Sequence, residues 1–198
     1  MTDRVEAETV EGWLSDFRLR TGKGALFVGG HVGAFSAGRV DAVPYVINGN
    51  SGKAPSTLPS EGGFSGWTTV RIDPEAKPVP APRLFRVDPA DAGPHPWARV
   101  QIRPHVDALA VTVPRVNIGA TVSVATTITQ GQRTFPLVYP VSAAWTGSGV
   151  HIWAGRAPSK AVAAYDPATG TLTGLRRGTA TLTVTVNGVS KAATFSVG

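Results

Sequence analysis

Seven of the sixteen prolines fall within 23 residues, at positions 74, 78, 80, 82, 89, 94 and 96. Proline fixes φ, has no N–H to donate, and pushes the residue before it toward extended geometry. Neither a helix nor a central strand runs through KPVPAP, which is a stiff, extended stretch. The proline run therefore divides the 198-residue chain. The organisation expected is a piece over 1–75, a connector over 76–104 with a short strand at RLFRV (83–87), and a β region over 105–198.

The first piece begins with a helix. Val10, Trp13, Leu14 and Phe17 recur at i, i+3, i+4 and i+7 and line one face of a helix over 3–20. Asp3 and Glu6 form a capping pair at its start, and Thr21-Gly22 stops it. GALFVGG (24–30), VPYVIN (43–48) and WTTVRID (67–73) read as strands, the last ended by Pro74. The segments 29–38 and 48–66 read as glycine-rich loops, and the second is long enough to be either functional or mobile. One helix and three strands are too few to close a two-layer core. These strands are expected to pair with the β region or a second copy, or to remain partly exposed.

Beyond Pro96 the pattern is purely β. Strands are expected at 97–103, 108–113, 121–129, 137–145, 150–153, 161–165, 171–175, 179–186 and 189–197. TLTVTV-NG-VSKAATF is the clearest hairpin, because Asn187-Gly188 tolerates the positive φ of a tight turn. Ala180, Leu182, Val184 and Val186 alternate inward while the threonines between them face out. The fold class expected is α+β and mostly β: a small α/β piece with one helix on a few strands, then an antiparallel β-sandwich.

Several function classes are excluded or weakened by the residues themselves. No apolar run is long enough to span a bilayer as a helix. The start MTDRVEAETVEGW is charged and does not read as a secretory signal. The net charge is +6, but the basic residues are scattered and not interleaved with aromatics, so no nucleic-acid partner is expected. With no cysteine there is no disulfide framework, thiolate metal site or cysteine nucleophile. No G-x-S-x-G elbow occurs, and NGNSGK (48–53) is too short for a P-loop. His95, His105 and His151 lack paired metal-ligand spacing and read as surface residues. Trp67, Trp97, Trp145 and Trp153 are read as a carbohydrate platform or, for at least two of them, as core anchors.

Two resemblances add to this reading. Trp145 followed by AVAAYDPATGTLTGLRRGTATLTVTVNGVSKAATFSV (161–197) resembles the group 2 bacterial immunoglobulin-like domain over about residues 108–198. That resemblance implies an immunoglobulin-like sandwich, a secreted or cell-surface location, and a spacing, display or binding role. It leaves a cell-wall or glycan contact open and supplies no motif of functional residues.

ALFVGGHVGAF (25–35), VPYVINGNSGK (43–53) and GGFSGWTTVRIDP (62–74) are similar to the final segment of a calcineurin-like metallophosphoesterase. In that family a strand ends in G-H-x-H, and both histidines bind a two-metal centre. The resemblance makes His31 a metal ligand, whereas Gly33 stands where the second histidine falls. It also makes Asn48, Asn50, Ser51 and Lys53 candidates for a substrate-facing loop, the other reading being an ordinary turn. The family's D-x-H, G-D-x-x-D and G-N-H motifs do not occur. The resemblance therefore implies the C-terminal portion of an exported bacterial phosphoesterase, or a shortened relative, inactive alone. A divalent metal (Mn, Zn or Fe) is implied for a complete enzyme and none for this chain alone. The partner implied is the upstream catalytic part or a second copy. The alternative is a surface binding, adhesion or spacer module without chemistry.

Overall fold

The computed structural model describes residues 4–41, 43–49, 54–75, 98–138, 140–152 and 157–198. The expected strand at 83–87 lies outside the described residues. The described residues are mostly β, with one α-helix and several antiparallel sheets. It divides into two compact units, one drawn from Met1–Arg103 and Tyr139–Val141, the other from Pro104–Val138 and Ser142–Gly198.

In the first unit, helix α1 (Arg4–Thr21) ends as its sequence requires. Gly22 takes a left-handed φ of 65°, and its N–H donates to the Arg18 carbonyl at 2.9 Å. The helix is less covered than its periodicity implies. Val10, Leu14 and Arg18 form a half-buried stripe, but Phe17 is exposed and Trp13 is 69% exposed. Length supplies one reason. An 18-residue helix runs about 27 Å, against about 17 Å for a five-residue strand.

Strands β1 (Phe27–Gly29), β2 (Ser36–Val40) and β3 (Val43–Ile47) make a three-stranded sheet in the order β1-β3-β2. β1 runs parallel to β3, with Phe27 opposite Tyr45 and Gly29 opposite Ile47. β2 runs antiparallel to β3. β2 begins inside the segment 29–38 expected to be loop and runs past its end. SAGRV has no period-2 apolar pattern, so its strand state comes from pairing to β3 and not from its own preference. β3 carries the burial, with Val43 and Val46 enclosed.

Part of the long loop 48–66 is firmly held. Phe64 stacks on Phe35 with ring centres 4.8 Å apart and planes 7° from parallel. The Phe35 N–H donates to the Gly62 carbonyl at 2.9 Å, and the Ser56 N–H to Gly33 at 3.1 Å. At Gly62 φ is 90°, and a β-carbon would sit 2.0 Å from the Phe35 carbonyl oxygen, so only glycine fits. β4 (Gly66–Ile72) then pairs with β5 (Ala98–Pro104), which brings the chain back after the proline-rich stretch.

The second unit holds β6 (Ala108–Thr112), β7 (Thr121–Ser123), β8 (Ala125–Gln130), β9 (Arg133–Pro136), β10 (Ala143–Ser148), β11 (Val150–Ile152), β12 (Ala163–Asp166), β13 (Thr171–Gly174), β14 (Gly178–Val186) and β15 (Val189–Val197). They form sheets β10-β14-β15, β11-β12-β13-β7 and β6-β8-β9. The first two share a core of Val116, Val162, Ala163, Tyr165, Leu172, Ala180, Leu182, Phe195 and Val197. The third meets them through β6, which lies alongside β15.

The expected alternation holds along β14, where Ala180, Leu182, Val184 and Val186 are buried. Trp145 is half-buried and tilts against Tyr165 at 4.5 Å between ring centres, the anchoring role expected of it. Burial and the neighbouring Asp166 push the Tyr165 phenol well above the ordinary tyrosine range.

Two strand boundaries differ from the pattern. TVSVATTIT is not one strand: β7 pairs with β13, β8 pairs with β6, and the chain switches sheets at Val124. The apolar alternation continues through this corner, so the sequence carries no mark of it. LVYPVSAAW is expected as a strand over 137–145, but the strand starts at Ala143, after Pro136 and Pro140.

Leu182→Ala removes wholly buried methyl groups from the sandwich core and is expected to cost about 3 kcal/mol. Trp13→Ala is expected to change stability by less than about 0.5 kcal/mol despite its larger side chain. Scanning calorimetry of the two variants checks this ordering.

Candidate functional site

Parallel strands bring their C-terminal ends to the same edge, and open α/β sheets hold ligands at that edge. β1 and β3 do this here. Gly30 and His31 leave one strand, Asn48 and Gly49 the other. The Asn48 N–H donates to the Gly29 carbonyl at 2.9 Å, which ties the two exits together. His31 and Asn48, picked out from the sequence, therefore share one sheet edge. Asn50, Ser51 and Lys53 lie outside the described residues.

His31 has a φ of 77°, in the left-handed region that side chains other than glycine rarely occupy. Its side chain is exposed. A backbone state of this kind costs on the order of 1–3 kcal/mol and concentrates at functional sites. Two residues on, Gly33 is also left-handed, with φ of 76°. A β-carbon there would meet Ser56 Oγ at 2.7 Å. The Ser56 hydroxyl is in turn held by donating to the Val32 carbonyl at 2.6 Å. A side chain at position 33 would be strained by the left-handed backbone and would have to displace the Ser56 hydroxyl.

This donor set does not fit a two-metal centre. Such a centre needs several Asp, His and Asn ligands to hold two ions about 3.5–4 Å apart. Among the described residues the edge offers one imidazole and one amide side chain. No group of three or more His, Cys, Asp or Glu able to hold a metal ion occurs among the described residues. His31 can contribute one ligand to a site completed by other residues.

No family model matches this chain, and no curated protein matches it.

The other described histidines belong to the second unit. His95 is outside the described residues, and His151 is half-buried in β11. His105 is on the surface, but it is not isolated. Its Nε2 meets Asp107 Oδ1 at 2.7 Å. The other carboxylate oxygen of Asp107 accepts the Gly131 N–H at 2.5 Å, and the Gln130 side-chain amide donates to the His105 carbonyl at 2.6 Å. This clamp fastens the start of β6 to the β8–β9 turn. His-x-Asp just before a strand was its only local signal, and the turn it grips is 24 residues away. Of the tryptophans, Trp67 is exposed on β4, Trp145 belongs to the core, and Trp97 and Trp153 are outside the described residues.

The Gly131 N–H and His105 hold the Asp107 carboxyl below its ordinary value of 3.8. Its stabilising effect is therefore complete above the unfolded value and is lost as pH falls through the lower folded one. Thermal midpoints recorded against pH should fall more shallowly below pH 3.8 in Asp107→Asn than in the wild-type chain. His31→Gly relieves the left-handed strain and is expected to leave stability unchanged or raise it by about 1 kcal/mol, read from the calorimetric midpoint.

Proposed function

We propose that this chain is the C-terminal portion of an exported bacterial metallophosphoesterase, carrying one wall of its metal site and an immunoglobulin-like accessory sandwich, and that it is not catalytic alone. The observation that carries the reading is His31, held in a left-handed backbone at the C-terminal edge of a parallel strand pair, beside Asn48. The strain is not explained by burial, and the position is where a sheet presents ligands. His31 would be one ligand for Mn, Zn or Fe, with a neutral imidazole nitrogen as donor. Asn48 and the loop after it would face the phosphate ester. The remaining ligands would come from the upstream catalytic part of the same protein or from a second copy.

A second reading is favoured by a different observation. The sandwich unit has its own closed core and does not need the His31 edge to be complete. On that reading the chain is a cell-surface binding or spacer module, with a cell-wall or glycan contact and no chemistry.

Two measurements on the full chain separate these readings. p-Nitrophenyl phosphate with added Mn²⁺ or Zn²⁺ should show no turnover above the metal alone. Metal-dependent turnover that is lost in His31→Ala would overturn the claim that the chain is inactive by itself. Titrated Mn²⁺ should broaden the His31 ring resonances before those of the other three histidines. Equal broadening of all four removes His31 as a ligand and leaves the binding module.

A further inference from the structure

The charge of the chain is unevenly shared. Residues 104–198 carry seven Lys and Arg against two Asp, and so hold five of the six net positive charges. Four of the cations gather at one end of the sandwich unit. β13 ends at Gly174 and β14 begins at Gly178, so Leu175, Arg176 and Arg177 form the turn at that end. The N–H groups of Leu175 and Arg176 both donate to the Val162 carbonyl, at 2.9 and 3.2 Å, which brings in the segment containing Lys160. The chain after β6 reaches the same end. Val116 bridges Val197, Ile118 bridges Gly174, and Arg115 immediately precedes them. Arg115, Lys160, Arg176 and Arg177 are all exposed, and none is in an ion pair among the described residues.

The two acids lie at the opposite end. Asp166 opens the β12–β13 turn, where its carboxylate accepts the Ala168 N–H at 2.9 Å and the Thr169 hydroxyl at 3.0 Å. Asp107 stands before β6, occupied by its clamp on Gly131. The basic end therefore has no Asp or Glu side chain from its own unit, although Gly198 also reaches it, its N–H donating to the Val116 carbonyl at 3.2 Å.

Two apolar side chains project amid these cations. Ile118 is 56% exposed and Leu175 is 38% exposed. Their segments are joined by the Gly119 N–H donating to the Gly174 carbonyl at 2.8 Å. Apolar tips ringed by Lys and Arg match one chemistry: a surface with a negative face and an apolar layer just beneath it.

We propose that this end of the sandwich unit docks on an anionic lipid bilayer, with Arg115, Lys160, Arg176 and Arg177 against the headgroups and Leu175 and Ile118 entering the interface. A bilayer uses both parts of the patch. A nucleic acid or a soluble polyanion would engage the cations and leave the two apolar tips in water or against phosphate. The aromatic side chains that stack bases are also missing from this end among the described residues, since Trp145 and Tyr165 lie in the core. The docking is peripheral: no described helix is long and apolar enough to cross a membrane.

The test is co-sedimentation of the full chain with vesicles of phosphatidylcholine alone and of phosphatidylcholine with phosphatidylglycerol in equal parts. Binding is expected only to the anionic vesicles, and to weaken as salt rises toward about 1 M, where the Debye length is about 3 Å. Each Lys or Arg near such a surface strengthens partition about fivefold, so Arg176→Gln with Arg177→Gln should lower it about thirtyfold. Leu175→Ser with Ile118→Ser should weaken vesicle binding about tenfold and leave retention on a heparin column unchanged. All four positions are exposed, and unchanged thermal midpoints establish that the variants fold. Equal binding to both vesicle types, no binding to either, or full binding by the serine variant would overturn the proposal. The last result would reduce the contact to one of charge alone, which any polyanion could make.

Discussion

The sandwich unit depends on one nine-residue strand. β14 is paired along most of its length on both edges, to β10 and to β15, so its backbone groups are satisfied inside the sheet. Leu182, Val184 and Val186 on its inner face have no exposure at all. A shift of register by one residue would turn these side chains outward and bring the threonines in. The hydroxyls of those threonines already have partners across the outer face, Thr181 with Thr194 at 3.0 Å and Thr185 with Ser190 at 2.8 Å. Core and surface thus fix the same register. What the strand interiors fix cannot carry variable chemistry, so polar function is left to the connections at the strand ends.

The first unit obeys a different constraint. Its three-stranded sheet is too small to bury much by itself, and a pair of stacked phenylalanines joins the β1–β2 turn to the loop after β3. That loop approaches so closely that glycine is required where it passes Phe35. The result is an ordered turn at His31–Phe35 without a regular element to hold it. The same packing places Ser56 over Gly33 and so disfavours a side chain at that position.

How much of this was legible depended on how local each cause was. The α1 stop at Gly22, the Asn187-Gly188 hairpin and the inward alternation of β14 each arise from residues a few positions apart, and all three appear in the structure. β2 was not legible, because SAGRV becomes a strand only through β3. The sheet switch at Val124 was hidden for a related reason, since Val122, Val124 and Ile128 keep one alternation across the corner. Half coverage of α1 could not be read either: periodicity identifies the apolar arc and not the size of the surface opposite it. At the candidate site, His31 and Asn48 were visible as residues. Their shared edge depended on β1 and β3 being parallel. The His105–Asp107 clamp depended on a turn far along the chain.

The two left-handed residues in the His31–Phe35 turn require different explanations. At Gly33, Ser56 crowds the volume a side chain would take, and glycine accepts the backbone at little cost. No such crowding acts on His31, whose side chain is exposed. Glycine would relieve its φ, and a glycine already precedes it at position 30, so the local sequence is not averse to that residue. The imidazole therefore stands in a backbone state that favours glycine, without a burial gain to offset it, although histidine enters that state more readily than most side chains. Packing and secondary structure account for Gly33 and do not account for the backbone state of His31.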